Sequence, residues 1–292
     1  MNALRLDGEL THDLPLDAHL HTDLSPDSEV PIDVYCALAV ERGIAEIAIT
    51  DHVDFNPQAP AFAYTSFEQR ERTVREAAER WAGRVDVRFG VEITYESAHD
   101  AGIREHLRRH AYDYVIGSVH VMRYSPYTAA RIARYVEGRS LEEIVEPYFS
   151  EVLRAIRSGL FDTLGHLDYV KKYLIPQVTP ADLAAAPELY EPLLRALVET
   201  GTSLEINTSG LRQPPCETYP SAAVVARYRE IGGCHVTTGS DTHESRAFSY
   251  GLAEAYRAAE AAGFETVAFR RGGERVAIAM PGDPRAAPNA GG

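Results

Sequence analysis

Glu46 to His52 reads EIAITDH, a short apolar and partly β-branched run that passes directly into an aspartate and a histidine. Such a run, bounded by polar residues, predicts a buried strand, and this one ends on groups that can carry chemistry. The same design returns along the chain. His19-Leu20-His21, Gly90-Val91-Glu92, Gly117-Ser118-Val119-His120, Gly165-His166-Leu167-Asp168, Glu205-Ile206-Asn207 and Gly239-Ser240-Asp241-Thr242-His243 also close β-type stretches, making seven with the first. Scattered histidines would say little. Imidazoles and carboxylates placed repeatedly at strand ends predict a metal site, because a barrel gathers strand ends remote in sequence onto one rim.

Between these stretches lie helical patterns. Strands are predicted over 16–21, 46–50, 85–94, 112–121, 163–167, 203–207 and 235–240. Helices are predicted over 31–42, 66–83, 103–110, 140–157, 181–200, 221–231 and 250–262, with a break near Pro187 and Pro192. Local signals support the boundaries: Pro31 in a first turn with Gly43 just past the end, Ser66 as an N-cap, and Ser140 with Glu143 as a capping box. Strand and helix alternating with short connections imply a parallel sheet with right-handed crossovers. Seven such units in 292 residues favour a closed or nearly closed α/β barrel. No Gly-rich dinucleotide fingerprint follows the first strand, which removes the main reason to expect a Rossmann fold. One domain is expected over 1–280, followed by a disordered Pro/Ala/Gly-rich tail at 281–292.

Composition narrows the setting. A hydrophobic content of 45% suits a globular core. No apolar run approaches the ~18 residues of a membrane span, and the first residues lack the pattern of a signal peptide. Cys36, Cys216 and Cys234 are odd in number and far apart, as expected of free thiols in a reducing cytoplasm. A formal net charge of -14 argues against nucleic acid or anionic membrane as the principal partner.

His19 and His21, two apart on a strand, point to one face. They can hold one ion, or be polar strand residues satisfied by hydrogen bonds. Asp241 and His243 repeat the spacing near the other end of the chain, and closure would set the first and last strands side by side. Glu92 ends an apolar run where a buried carboxylate is costly unless paired or metal-bound. An arginine partner is one solution; bridging two cations with its two oxygens is another. His52, His120 and His166 read singly as satisfied buried histidines. Together these residues form a nitrogen-rich set with carboxylates that suits Zn, Mn or Fe better than Mg or Ca.

In content and order, these motifs resemble the PHP (polymerase and histidinol phosphatase) superfamily over residues 15–270. The segments 112–120 (YDYVIGSVH), 165–168 (GHLD) with Lys171-Lys172, and 207–212 (NTSGLR) resemble its histidinol-phosphate phosphatase branch. The resemblance implies a distorted (β/α)7 barrel and two or three divalent transition ions. His19, His21, Glu92 and Asp241 would hold one ion, and Glu92, His120 and His166 a second that shares the glutamate. His52 and His243 would hold a third. Asp27 stands where many relatives place a histidine, and can ligate, donate a proton or act from behind the ligands. The implied reaction is hydrolysis of a phosphate monoester, L-histidinol phosphate, in the histidine biosynthesis of the cytoplasm.

Clustered cations suit in-line displacement at phosphorus, with Asp27 or the Asp51-His52 segment supplying or orienting the leaving group's proton. Arg212 is the favoured phosphate contact, because a guanidinium can grip phosphate with two parallel bonds. Lys171 and Lys172 are further candidates or plain surface charges. Asp168 and Asn207 would orient ligands from behind. Of the remaining histidines, His12 precedes the first strand; His99, His106 and His110 are expected to face water; His235 belongs to the opposite rim. Two other readings remain: a nucleotide or oligonucleotide phosphoesterase, and a non-catalytic metal-binding domain.

Overall fold

The computed structural model describes residues 13–121 and 124–281, so His12 and the tail from 282 onward lie outside the described residues. In chain order the first elements are β1 (Leu16–Leu20), α1 (Ile32–Arg42), β2 (Glu46–Ile49), β3 (His52–Val53), α2 (Phe67–Trp81), β4 (Asp86–Thr94) and α3 (Asp100–Arg109). There follow β5 (Tyr114–Ser118), α4 (Ile132–Val136), α5 (Leu141–Ser158), β6 (Thr163–Leu164), α6 (Lys171–Leu174), α7 (Pro180–Ala184) and α8 (Glu191–Thr200). The chain then forms β7 (Ser203–Asn207), α9 (Ala222–Glu230), β8 (Val236–Gly239), α10 (Leu252–Ala261), β9 (Thr266–Arg271) and β10 (Glu274–Ala279).

Seven parallel strands run in the order β1-β2-β4-β5-β6-β7-β8. The ends of this path meet beyond β8, where Asp241 N donates to His19 O at 2.9 Å and His21 N to Thr242 O at 3.0 Å. The result is the nearly closed (β/α)7 barrel expected from the alternation. Its strands are buried on both faces, as a parallel sheet wrapped by helices requires. Beyond the end of β2, β3 pairs with β4 and sets His52 opposite Glu92.

Helix boundaries follow local chemistry. Gly43 ends α1 in the left-handed region, at φ 67°. Ser66 caps α2 by accepting from Gln69 N, and Ser140 with Glu143 forms the capping box of α5. That helix buries Ile144, Val145, Tyr148, Phe149, Val152 and Ile156, at roughly 1.5–3 kcal/mol for each large apolar side chain removed from water. Two expectations change. The helix predicted over 181–200 is divided around Pro187 alone; Pro192 lies in the first turn of α8, where its missing N–H costs nothing. The chain also does not end its regular structure at the last helix. β9 and β10 form an antiparallel hairpin across Gly272 and Gly273 (φ 57° and 82°), a two-glycine turn that matches the twist of its strands. Phe269 of β9 is buried against Tyr114, with ring centroids 4.7 Å apart.

Candidate metal centre

The strand ends do converge. Glu92, only 1% exposed near the end of β4, stands at the centre of the group. Its Oε2 lies 3.3 Å from His19 Nε2, 3.4 Å from His21 Nε2 and 3.0 Å from His52 Nδ1. Its Oε1 lies 2.9 Å from His166 Nε2 and 3.5 Å from His120 Nε2. Asp241 Oδ1 is 3.4 Å from His21 Nε2, 3.7 Å from His243 Nδ1 and 3.8 Å from His19 Nε2. Asp27 Oδ2 reaches His243 Nε2 at 3.1 Å and the outer nitrogen of His52 at 3.3 Å. All nine residues expected to hold metal therefore share one rim.

The spacing tests whether ions fit. Several of these separations are long for hydrogen bonds, yet two atoms each bound ~2.0–2.2 Å from one ion stand about 3–4 Å apart. His19 Nε2, both nitrogens of His21 and Glu92 Oε2 are buried without a hydrogen-bond partner among the described residues. Buried polar atoms left this way are costly unless something external satisfies them. The donor atoms fall into three overlapping groups: His19, His21 and Asp241; His52, Glu92 and His120; His21, Asp27, His52 and His243. The overlap refines the expected division. His52 presents one nitrogen to Glu92 and the other to Asp27, and His21 belongs to two groups.

Electrostatics follow from the crowding. Burial and the nearby His243 and His52 push His21 down to about 3, and burial lowers His120 to about 3 as well. Neutral imidazole is the form that offers a lone pair to a metal. Burial would raise the Glu92 and Asp241 carboxyls, but the surrounding imidazoles outweigh it and hold both well below the carboxylate range. Burial would also lower His19, but Glu205, Glu92 and Asp241 hold it well above the usual imidazole value.

A layer behind the donors fixes them. Glu205 Oε1 lies 2.6 Å from His19 Nδ1, while its Oε2 accepts from His166 N at 2.7 Å and Asn207 Nδ2 at 3.0 Å. Asn207 Nδ2 and Ser209 Oγ both donate to Asp241 Oδ2, at 3.3 and 3.1 Å. Thr94 Oγ1 sits 2.9 Å from His120 Nδ1. The glutamate can approach this closely because Gly239 carries no side chain: a Cβ there would fall 2.4 Å from that of His19 and 2.6 Å from Glu205 Oε1. His166 and Asp241 occupy the left-handed region at φ 22° and 50°, a conformation costing about 1–3 kcal/mol that persists where surroundings enforce it. Glu205 was not singled out as an orienting group in the sequence. Its signal was the alternation Ser203, Glu205, Asn207 on one face of β7.

A cavity of about 880 Å³ opens over the donors, lined in part by Asp27, His52, His120, Arg212, Asp241 and His243. Arg212, on a short turn after β7, donates through Nη2 to the carbonyls of Ser240 and Asp241 at 3.0 and 3.2 Å. Its Nη1 has no partner among the described residues.

Other expectations are corrected. Burial would raise Asp27, but His243 and His52 hold it far below the ordinary range, which suits a ligand and not a proton donor. Asp51 is not among the cavity-lining residues; its oxygens accept from Thr22 N and Oγ1 at 2.6 and 2.8 Å, fixing the turn after His21. Lys171 is buried between Asp168 at 3.0 Å and Glu217 at 2.6 Å and is not among the cavity-lining residues, and Asp168 Oδ2 meets Lys171 and the Tyr190 hydroxyl at 2.9 Å in place of the ligand expected in front of it. Lys172 bonds the Tyr169 hydroxyl and lies 3.9 Å from that ring, its ammonium pushed down to about 8 by burial. His106 and His110 do not face water freely. They pack with Phe55, Phe67 and Tyr112, and His106 Nε2 bonds the Tyr112 hydroxyl at 2.9 Å. His235 precedes β8 and so belongs to the far rim, as expected.

A barrel whose strand ends carry histidines and carboxylates in this order defines a class, and the sequence profile of the PHP domain matches residues 17–209. The chain belongs to the PHP domain family. A probable histidinol-phosphatase of Deinococcus radiodurans is 31% identical over 257 residues, covering 87% of this chain and 96% of that protein. A histidinol-phosphatase of Lactococcus lactis is 27% identical over 254 residues, covering 87% and 93%. The crystal structure of histidinol phosphate phosphatase from Lactococcus lactis, complexed with zinc, L-histidinol and phosphate, superposes with a TM-score of 0.78 at 24% identity over 90% of this chain and 98% of that one. That likeness bears out the fold. Among the described residues no helix is long and apolar enough to cross a membrane.

Proposed function

We propose that this chain is a metal-dependent phosphate monoesterase of the cytoplasm that hydrolyses L-histidinol phosphate to L-histidinol and phosphate, a step of histidine biosynthesis. The observation that carries the reading is the convergence of five imidazoles on the two oxygens of one buried carboxylate, Glu92. The names borne by relatives that match most of the chain support the choice of substrate.

His19, His21, Glu92 and Asp241 would hold one ion, Glu92, His120 and His166 a second, and His52, His243 and Asp27 a third. Divalent ions such as Zn, Mn or Fe supply Lewis acidity to the phosphate and to the attacking water. The protein does the rest. Arg212 offers its unpaired Nη1 to a phosphate oxygen and stays oriented by the two carbonyls behind it. Glu205 fixes the tautomer and angle of His19, and Asn207 and Ser209 do the same for Asp241. Asp27, half exposed in the cavity lining, would hold the third ion with His52 and His243 and orient solvent at that wall. The net charge of -14 argues against nucleic acid as the partner of this site.

The test is metal-reconstituted kinetics on L-histidinol phosphate, p-nitrophenyl phosphate and an oligonucleotide. A kcat/KM for L-histidinol phosphate well above both others is expected. A value no better than the generic ester, or turnover of the oligonucleotide alone, would reject the assignment.

A further inference from the structure

The cavity has a wall that the reaction described above does not use. Asp54 lines it, two residues beyond His52 in extended chain. Alternation puts Asp54 on the same face as His52, while Val53 between them packs against the core. Asp54 Oδ2 accepts from Ala61 N at 3.3 Å. Its Oδ1 is buried and has no partner among the described residues. Arg70 behind this wall acts on Asp54 only through its charge and makes no hydrogen bond to it: its Nη2 and Nε donate to the carbonyls of His52 and Thr65 at 2.6 and 3.2 Å, and its Nη1 has no partner among the described residues.

We propose that Asp54 receives a cationic nitrogen of the substrate and so determines specificity for phosphate monoesters that carry an ammonium close to the ester. The inference rests on the phosphatase reading and deepens it. The imidazole-rich rim and Arg212 attract the phosphate end, and the Asp54 carboxylate lines the same cavity. The distances agree. Same-face neighbours on a strand lie about 6.5 Å apart, and an ammonium on the second carbon from the ester oxygen is four covalent links, about 4–5 Å, from phosphorus. An ester gripped beside His52 therefore brings that nitrogen within reach of Asp54. A buried carboxylate oxygen lacking a donor is unfavourable, and the substrate removes that defect on binding.

The experiment compares wild type with Asp54→Asn, both metal-reconstituted, on L-histidinol phosphate, its N-acetyl derivative and p-nitrophenyl phosphate. The expected result is a fall of about 10–100-fold in the preference for L-histidinol phosphate over the other two, carried by KM and not kcat, with metal content unchanged. An unaltered preference would overturn the proposal. Should wild type itself show no preference for L-histidinol phosphate, the substrate assignment fails separately. Asp54 is then judged on 2-aminoethyl against 2-hydroxyethyl phosphate. A preference for the ammonium ester that Asp54→Asn erases supports the proposal, and equal ratios in both proteins overturn it. If the variant does not fold, inhibition of wild type by L-histidinol and N-acetyl-L-histidinol decides: weaker inhibition by the acetylated compound supports a carboxylate contact, and equal inhibition refutes it.

Discussion

The two mouths of the barrel bury carboxylates in opposite ways. At the lower mouth Glu46, 1% exposed at the start of β2, is bound by Arg88 of β4 and by Arg271 of the hairpin, whose Nη2 lies 2.5 Å from Oε2. Asp162, just before β6, pairs with the neighbouring hairpin residue Arg270 at 2.5 Å. At the upper mouth Glu92 is as deeply buried, but what surrounds it is imidazole, and several donor atoms there lack partners among the described residues. A buried charge must be compensated. The lower mouth carries its own cations; the upper one is arranged for cations from outside. Structure is the outcome of the first arrangement and chemistry of the second.

The most severe way to break this contrast is Glu92→Gln. The charge is lost while the shape is kept, so activity should fall by far more than the ~10–100-fold that changes behind the ligands cost. More than one metal equivalent should disappear with it, read by elemental analysis after reconstitution. Full metal content in that variant would show that Glu92 does not bridge.

Glu205→Gln probes the layer behind the donors. The amide keeps one acceptor oxygen where the carboxylate uses two, Oε1 toward His19 Nδ1 and Oε2 toward His166 N and Asn207 Nδ2, and metal affinity should weaken about 10–100-fold. Metal titration by calorimetry reads the change, and an affinity within twofold of wild type would place Glu205 outside the site's support.

Glu46→Ala sharpens the comparison from below. Breaking a buried pair costs 3–5 kcal/mol when a charge is stranded. Here the arginines left behind are 27% and 42% exposed and water can reach them, so a loss of about 1–3 kcal/mol is expected in urea unfolding. Metal content and kcat should stay within twofold. A loss of metal would mean that the two mouths are coupled.

These regions were not equally readable from sequence. The upper rim was, because each donor ends its own strand: His21, His52, Glu92, His120, His166 and Asp241 stand where an apolar run stops, and barrel closure does the gathering. Glu205 was less so: alternation along β7 sets the face it occupies, but its role depends on an approach to His19 across the barrel that Gly239 permits. Lys171 looked like a substrate contact because its neighbours in sequence resemble a phosphatase motif; its partner Glu217 is brought in only by the fold. The lower mouth was overlooked although Gly272-Gly273 between two β-rich runs is a hairpin signal. Helices separate the seven strands of the barrel, and the hairpin breaks that rhythm.

A third manner of burial gives the smallest expected effect. His106 is compensated neither by protein charges nor by ions; it is packed among Phe55, Tyr112 and His110, and burial, helped by His110 and Arg70, pushes it down to about 4. The unfolded chain binds a proton here near pH 6.5, whereas the native state resists until about 4. Lowering the pH through that window therefore favours unfolding, and below it the penalty stops growing. The ring is partly solvated, so the loss should be about 1 kcal/mol and not the full linkage value. His106→Gln can still meet the Tyr112 hydroxyl but has nothing to titrate. The difference in urea midpoint between wild type and variant should thus change between pH 7 and pH 4, with wild type losing more. A constant difference would mean that the imidazole is protonated as freely in the fold as out of it, and that packing among rings does not resist its charge.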